Sequence, residues 1–512
     1  MSRFRAFFKP SSSLRIGLRA APVLLFVSAN SNIPSADLHP PPFVRLYRDV
    51  LAYPPSPYFI ALYPPFDMPA DPAPGRPGNL TPEQEAKLKE LWVLTMRTFG
   101  VAVPPTLQDA AAAAAPALTA VKSANGSINR TDSVATAATD EKKKKRFGVF
   151  RKKDKEDKKE KALKPTTSTL SSPTIGLEED DNDKYGQSKQ FKTALAEMSP
   201  DELRVAFWSM VKADHPDGLL LRFLRARKWD VKRALVMMVS TMHWRLKEMD
   251  VESIVFRGEG AALAEHDEDF MKQIRLGKSY LHGTDKTGRP ICTVRARLHR
   301  QGDQSEDALN RYTIYVMETA RMCLKDPVDT ATVLFDLSDF SLANMDYAPV
   351  KFMIKCFEAH YPESLGVCIV YKAPWIFQGV WKIVRGWLDP VVATKINFAS
   401  NIDDLSKFIH REHVWKELGG PVDWEYKFIE PIPGEDALLK DEATREKLLE
   451  NRAKIVREFE DATWQWIYSS ATEPRQARHD IAKRLRTDYI ALDPYMRART
   501  VYDRTDYINL VA

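Results

Sequence analysis

Two hydrophobic rhythms divide the chain between residues 190 and 430. In the first part, apolar positions recur at helical spacing. Leu235, Met238, Val239, Met242 and Leu246 form one stripe after Asp230, which predicts an N-capped helix to about residue 247. Residues 219–228 form another helical stretch, and Ser199-Pro200-Asp201-Glu202 is a capping box with proline at the first helical position. The same signature opens a more isolated helix at Thr81-Pro82-Glu83-Gln84, whose Leu88, Leu91, Trp92 and Phe99 give it a face to dock. From residue 278 the rhythm changes. Short apolar runs at 279–281 and 291–294 flank Gly283-Thr284-Asp285-Lys286-Thr287-Gly288, which reads as a hairpin. Helix (308–324), strand (332–337), helix (347–359), strand (367–371), helix (375–388) and strand (395–398) then alternate. Apolar strands separated by amphipathic helices predict an α/β unit with a mixed, largely parallel sheet covered by helices. Short helices over 401–418 and Gly419-Gly420-Pro421 close it. Beyond it lie one or two charged helices (443–468 and 474–487) without a readable motif, and no internal repeat is present.

Composition removes much of the 512-residue chain from this core. Fifteen of the 34 prolines fall in the first 80 residues, and residues 102–186 are mostly Ala, Ser, Thr, Lys and acid. The prolines block regular helix and sheet in the first stretch, and the second offers too little apolar surface to offset its ordering entropy. The expected organisation is a Pro-rich disordered arm (1–80), a docking helix (81–100), a disordered insert (101–189), a small helical module (190–250), an α/β lobe (251–421) and a charged helical tail (422–512). The net charge of +6 resides in the insert, where twelve Lys or Arg face five acids between Glu141 and Lys161. Lys142–Arg146 and Arg151–Lys153 could hold the chain near anionic membranes, and a nuclear-import role or a solvated linker fits such a run equally. Arg3, Arg5, Lys9, Arg15 and Arg19 precede the first acid, Asp37, which leaves an unaddressed arm, a mitochondrial transit peptide and a secretory signal open. No apolar run reaches the ~18 residues of a membrane span. Cys292, Cys323, Cys356 and Cys368 lack zinc or redox spacing and read as reduced thiols.

The search for reaction chemistry returns little. Gly283 and Gly288 have the spacing of a phosphate loop, but Arg289-Pro290 stand where Lys and Ser or Thr are needed, and the loop joins two strands. His410-Arg411-Glu412-His413 has the wrong spacing for zinc. No local nucleophile–base arrangement is visible, so neither an enzyme nor a cofactor is expected. One segment is unusual. Residues 375–388 hold Trp375, Trp381 and Trp387 at a spacing of six, which at ~100° per residue points them to three faces. A helix apolar all round is buried or meets lipid, and fourteen residues cannot span a bilayer. Two glycines, Lys382, Arg385 and the Asp389-Pro390 stop favour a surface lid. A core helix fits the pattern as well.

Leu219-Leu220-Leu221-Arg222-Phe223-Leu224-Arg225-Ala226-Arg227-Lys228-Trp229-Asp230 resembles the signature of the helical N-terminal module of the CRAL-TRIO lipid-binding family. Gly283-Thr284-Asp285-Lys286-Thr287-Gly288-Arg289-Pro290 resembles its G-x-D-x-x-G-R-P hairpin. Tyr361-Pro362-Glu363, Ala373-Pro374-Trp375, Asp389-Pro390 and Lys395 follow in family order. Fungal phosphatidylinositol transfer proteins of the secretory type are the group most like it. The resemblance implies a helical module followed by a lobe whose sheet floors a lipid pocket, closed by a mobile gate helix at 375–388 (Trp375, Phe377, Trp381, Trp387). It implies phosphatidylinositol binding and transfer by a cytoplasmic, membrane-associated monomer, with mitochondrial association as a further option and no nucleic-acid partner. Glu363 and Lys395 match the family pair that holds the inositol phosphate, and Arg227, Lys228, Pro290 and Asp389 match positions at the same mouth. Ser364 stands where the best-studied relatives carry Arg, and Val392 where they carry a hydroxyl, so a second ligand such as phosphatidylcholine or sterol stays open. The competing reading is a membrane-recruited lipid sensor that acts on protein partners through its tail, without net transfer.

Overall fold

The structure is a computed structural model that describes residues 72–112, 183–469, 473–508 and 510. Helix α1 (Pro82–Thr98) begins as its sequence dictates: Thr81 Oγ1 accepts from Gln84 N–H, and Gln84 Oε1 accepts from Thr81 N–H. After the insert come α2 (Gln187–Glu197), α3 (Pro200–Val211), α4 (Pro216–Ala226) and α5 (Val231–His243). Ser199 and Glu202 form the expected box on α3, and Asp230 caps α5. Helix α5 is the centre of this layer. It is buried from Ala234 to His243, a wider face than its apolar stripe announces, and it runs on into a π-helical turn, Trp244–Glu248. Leu88, Leu91 and Trp92 dock α1 into the same core.

Several boundaries move. Residues 72–80, read as part of the arm, are anchored: Arg225 donates to Gly75 O at 2.8 Å and Arg76 meets Asp329 at 3.0 Å. At the other end of α1, Val101, Val103 and Leu107 rest on the helical core. Asp183 opens α2 by accepting from Gln187 N–H and Ser188 N–H, both at 2.7 Å. The insert as read from composition is therefore too long at both ends. Its basic block, its acidic run as far as Asp181 and the N-terminal targeting motifs lie outside the described residues.

The segment left as a charged tail is part of the core. Helices α13 (Glu442–Tyr468) and α14 (Glu473–Met496) pack along each other, and Ile455, Val456, Phe459, Trp464, Trp466, Ala482 and Leu485 join the cluster around Trp92 and Phe207. Arg478 of α14 lies 4.5 Å from the rings of both Phe459 and Trp466 and donates to the buried Asp217, which also accepts from Trp92 Nε1–H at 2.7 Å. The tail's apolar residues are thus turned inward, away from any arm-like use.

Two helices that the pattern did not announce, α6 (Val251–Ala264) and α7 (Glu268–Arg275), lead into the α/β lobe. Its strands are β1 (Ser279–Thr284), β2 (Pro290–Arg295), β3 (Ala331–Asp336), β4 (Leu365–Tyr371) and β5 (Ile396–Ala399), in that spatial order. β1 is antiparallel to β2 and the other pairs are parallel. Helices α8 (Glu306–Met322), α9 (Tyr347–Lys355) and α10 (Phe377–Arg385) make the three crossovers. Right-handed crossovers between strands in sequential order place all three helices on one face. The register gives that face two rows, Cys292–Val333–Cys368–Ile396 and Val294–Phe335–Val370–Phe398. Ile291, Leu334, Ile369 and Tyr371 point the other way and are covered by Leu405 of the short helix α12 (Ile402–Leu405), Ile409, Trp415 and Leu418.

The hairpin motif has a structural explanation. Asp285 Oδ1 accepts from Thr287 N–H and Arg289 N–H, while its Oδ2 accepts from Thr332 Oγ1–H at 2.7 Å. Arg289 then crosses the sheet edge over Gly366 of β4, where a Cβ would sit 2.5 Å from Arg289 Nε. On the opposite edge of the sheet, the outward backbone groups of β1 are satisfied by tyrosines. Tyr312 Oη serves Ser279 N–H and C=O, Tyr502 Oη accepts from Leu281 N–H, and Tyr507 donates to Gly283 O. An edge strand covered in this way offers no template to another chain.

Candidate functional site

Between the helix-bearing face of the sheet and helices α8–α10 lies an apolar cavity of about 230 Å³. Its floor is the pair of strand rows, with Val333, Phe335, Cys368, Val370 and Ile396 all reaching it. Its roof is α10. Phe377, Val380, Trp381 and Val384, at positions i, i+3, i+4 and i+7, face inward with Leu388 just past the helix end, while Gln378, Gly379, Lys382, Ile383 and Arg385 are turned outward. Of α10 only Val380 is buried, so this helix is a surface cover with two distinct faces. It is shorter than residues 375–388, which is why the three tryptophans do not share its geometry. Trp375 precedes it and is 84% exposed. Trp381 meets Phe398 on β5 edge-on, with ring centroids 5.3 Å apart. Trp387 lies past its end against Tyr347 of α9, also at 5.3 Å, with Lys351 Nζ 4.8 Å from its ring.

At the amino-terminal edge of the parallel strands the cavity is bounded by Leu365, Val392 and Ile396, near neighbours in sequence of Glu363 and Lys395. These two charges meet: Lys395 Nζ is 3.6 Å from Glu363 Oε2, and both side chains are partly exposed. Adjacent strands bring them together, since Lys395 O accepts from Cys368 N–H of β4 at 2.8 Å. Glu363 is held in the left-handed region at φ 53°, a conformation costly for a residue with a Cβ, and Arg222 donates to its carbonyl at 2.8 Å.

The remaining sequence candidates are spread along this edge. Arg227 ends α4 and donates to Gln187 Oε1 at 2.5 Å, and Gln187 in turn donates to Ala359 O at 3.1 Å. Lys228 occupies the turn before α5 with φ 50°. Pro290 is buried at the start of β2, beside the Asp285 network. Asp389 is exposed and caps a short helix, α11 (Pro390–Ala393), through Val391 N–H at 2.7 Å. The structure therefore joins Glu363 to Lys395 directly, while Arg227 and Asp389 are engaged with Gln187 and with the backbone of Val391.

Two features escaped the sequence. The first is a guanidinium cluster. Arg76 and Arg225 meet the Asp329 carboxylate at 3.0 and 2.9 Å, and Arg222 donates to its carbonyl. Burial pushes the Asp329 carboxyl up, but these three cations outweigh it and hold the group below its usual range. Together with Lys395, four cations face two carboxylates beside the mouth. Arg222 and Arg225 stood in the recognised motif, but nothing in the sequence pointed to Asp329 or Arg76 as their partners. The second is Glu358, at the hinge of the cover. Its Oε2 accepts from Lys184 Nζ and Tyr185 Oη–H, and its Oε1 accepts from Asp389 N–H, each at 2.7 Å. Lys184 also donates to Trp387 O. The end of the insert is thereby fastened to the end of α10. Burial and this carboxylate raise the Tyr185 phenol.

Among the described residues no group of three or more His, Cys, Asp or Glu could hold a metal, and no helix is long and apolar enough to cross a membrane. Burial pushes the thiols of Cys292 and Cys368 up to about 12.

Comparison with known proteins bears on this arrangement. The CRAL/TRIO domain profile matches residues 274–420, and the CRAL/TRIO N-terminal domain profile matches 187–240. A CRAL-TRIO domain-containing protein of Schizosaccharomyces pombe, C3H8.02, is 43% identical over 438 residues, 85% of this chain and 92% of its own. Phosphatidylinositol transfer protein CSR1 of Eremothecium gossypii is 41% identical over 439 residues, 84% of this chain and 97% of its own. Among solved structures, the crystal structure of Sfh5 aligns with 45% of this chain and 85% of its own at 15% identity, with a TM-score of 0.32.

Proposed function

The chain belongs to the CRAL-TRIO family, and from that premise we propose that it takes one phosphatidylinositol molecule into the cavity beneath α10 and carries it between membranes. The observation that carries this reading is the Glu363–Lys395 pair at the mouth of an apolar cavity roofed by a two-faced surface helix. The relative from Eremothecium gossypii, which matches almost end to end, is named as a phosphatidylinositol transfer protein.

Each part of the arrangement has a use in that task. Acyl chains leaving a membrane need a water-free lining, worth ~0.8 kcal/mol per CH₂. The two strand rows and the inner face of α10 supply it. The phosphodiester seeks a cation, which Lys395 provides as a charge-assisted donor, in a surround where Arg76, Arg222 and Arg225 outnumber Asp329. The inositol hydroxyls donate to the Glu363 carboxylate, which the strained backbone holds at the mouth. Opening requires α10 to swing between the short connection at Ala373-Pro374 and the Glu358-held connection at Trp387–Asp389. The exposed Trp375, Ile383 and Val391, beside Lys382 and Arg385, suit that face to an anionic bilayer surface during exchange.

The first test is mass spectrometry of the lipid extracted from the purified protein, where phosphatidylinositol is the expected species. The second is mutational. Lys395→Ala should remove a contact worth ~1.5–3 kcal/mol, roughly a 10- to 150-fold loss in phosphatidylinositol affinity. Glu363→Ala should weaken phosphatidylinositol more than phosphatidylcholine, whose headgroup has no hydroxyls to donate. Equal loss of both lipids would make the pair structural, and undiminished transfer by the double mutant would remove the headgroup assignment.

A further inference from the structure

The cavity has a second end. Lys278 immediately precedes β1 and lies beside the carboxyl end of β2, where Arg295 N–H donates to its carbonyl at 2.8 Å. His299 follows β2, and Asp346 follows β3. All three side chains line the cavity at the sheet edge opposite Glu363 and Lys395, together with Gln273 of α7. The Lys278 residue is only 5% exposed. Its ammonium donates to Gln304 Oε1 and to His299 Nδ1, the latter at 3.3 Å, and His299 Nε2–H donates to Asp346 Oδ2, also at 3.3 Å. Among the described residues no carboxylate lies within ion-pair distance of Lys278, because the imidazole stands between it and Asp346. Asp303, the acid whose field reaches it, is solvent-exposed. Gln273 is fully buried, and its Oε1 has no hydrogen-bond partner although its amide donates to Asp269 O and Ala308 O.

A buried cation without a contacting counter-ion, at the closed end of an apolar lining, is costly unless a guest supplies the charge. We propose that this inner end is a separate site that receives the carboxylate of a single long-chain fatty acid, with Lys278 as the donor to it. The inference uses the cavity assigned above but none of its mouth residues. The guest's chain would lie along Val333, Phe335 and Val370 under α10. Burial lowers the Lys278 ammonium to about 8, so at neutral pH it still carries the proton that a carboxylate would accept.

The test uses the full chain and cis-parinaric acid, a naturally fluorescent long-chain carboxylate, alongside the corresponding alcohol and methyl ester, with no phosphoinositide present. The acid should bind at least tenfold more tightly than the alcohol or the ester. Lys278→Met, which keeps the volume and removes the charge, should cost roughly 10- to 150-fold for the acid and leave the other two probes nearly unchanged. Asp346→Asn should move the acid the other way, tightening it, because it deletes the carboxylate behind His299. A merely structural role for the relay would loosen all three probes together. Should Lys278→Met fail to fold, Lys278→Gln and the Asp346→Asn sign still decide the question. Equal affinity for acid and alcohol, or an acid affinity untouched in Lys278→Met, overturns the assignment. These readings do not depend on phosphatidylinositol capture, so either site can fail while the other stands.

Discussion

His215 shows how much one residue can hold in this fold. It caps α4 by accepting from Asp217 N–H with Nδ1, which only a neutral imidazole can do. Burial lowers it to about 4. The neighbouring Asp217 carboxyl is pushed up by burial, but Arg478 outweighs this and brings it down to about 2. Both shifts have the same sign for stability. As pH falls from 6.5 to 4, the unfolded chain protonates its histidine before the folded one does; from 3.8 to 2 the same holds for the aspartate. Stability should therefore fall with acid over both windows, each by on the order of 2–4 kcal/mol at about 1.4 kcal/mol per unit. Urea melts across this range check it, and His215→Gln, which keeps an acceptor for Asp217 N–H, should flatten the upper limb. At this scale sequence reading named Glu363 and Lys395 through a motif, and the fold brings the two side chains within 3.6 Å of each other. It missed Asp329, Arg76 and Glu358, whose side-chain partners lie more than a hundred residues away.

At the scale of elements, the alternation of strand and helix located the sheet and its three crossovers, because period-2 and period-3.6 patterns are local. Helices α6 and α7 were missed. Helix α10 was drawn too long, because its flanking tryptophans are apolar without being helical. What the pattern could not show is that the last residues of the insert fasten the cover. Glu358 receives Lys184, Tyr185 and the backbone of Asp389 together, so opening at that hinge must break or carry charge-assisted bonds. Glu358→Gln keeps an acceptor and removes the charge. It should weaken the fastening by ~1–2 kcal/mol and speed lipid exchange between vesicles by roughly 5- to 30-fold. Slower exchange would show that the fastening supports the working geometry instead of restraining it.

For the whole molecule, the decisive pairing is between the two ends of the described chain. Asp217 and Arg478 are 261 positions apart and buried, with Trp92, Phe459 and Trp466 around the guanidinium. Removing one member of such a pair leaves a bare buried charge, so Arg478→Ala should cost about 3–5 kcal/mol, read as a lowered melting temperature of the helical layer. Composition hid this. The outward faces of α13 and α14 are so rich in Lys, Arg, Glu and Asp that the inward residues do not stand out in an average.

That arrangement has a consequence during synthesis. The core around α5 contains residues from Leu88 to Leu485, so its earliest members leave the ribosome long before their last neighbours exist. At ~5–20 residues per second, the roughly 400 intervening positions take on the order of 20–80 s. For that time the apolar face of α1 and the ring of Trp92 have no Phe459 or Trp466 to meet. The α/β lobe, whose strands are neighbours in sequence, waits only for residues 501–508, which cover its β1 edge. The nascent chain should therefore acquire its middle first and its beginning last, with a chaperone-binding face on α1 and α4 in the interval. Ribosome-arrested chains stopped near residue 440 should yield protease-resistant strands β2–β5, with the uncovered β1 edge and residues 81–246 still cleavable. Release of the complete chain should protect both.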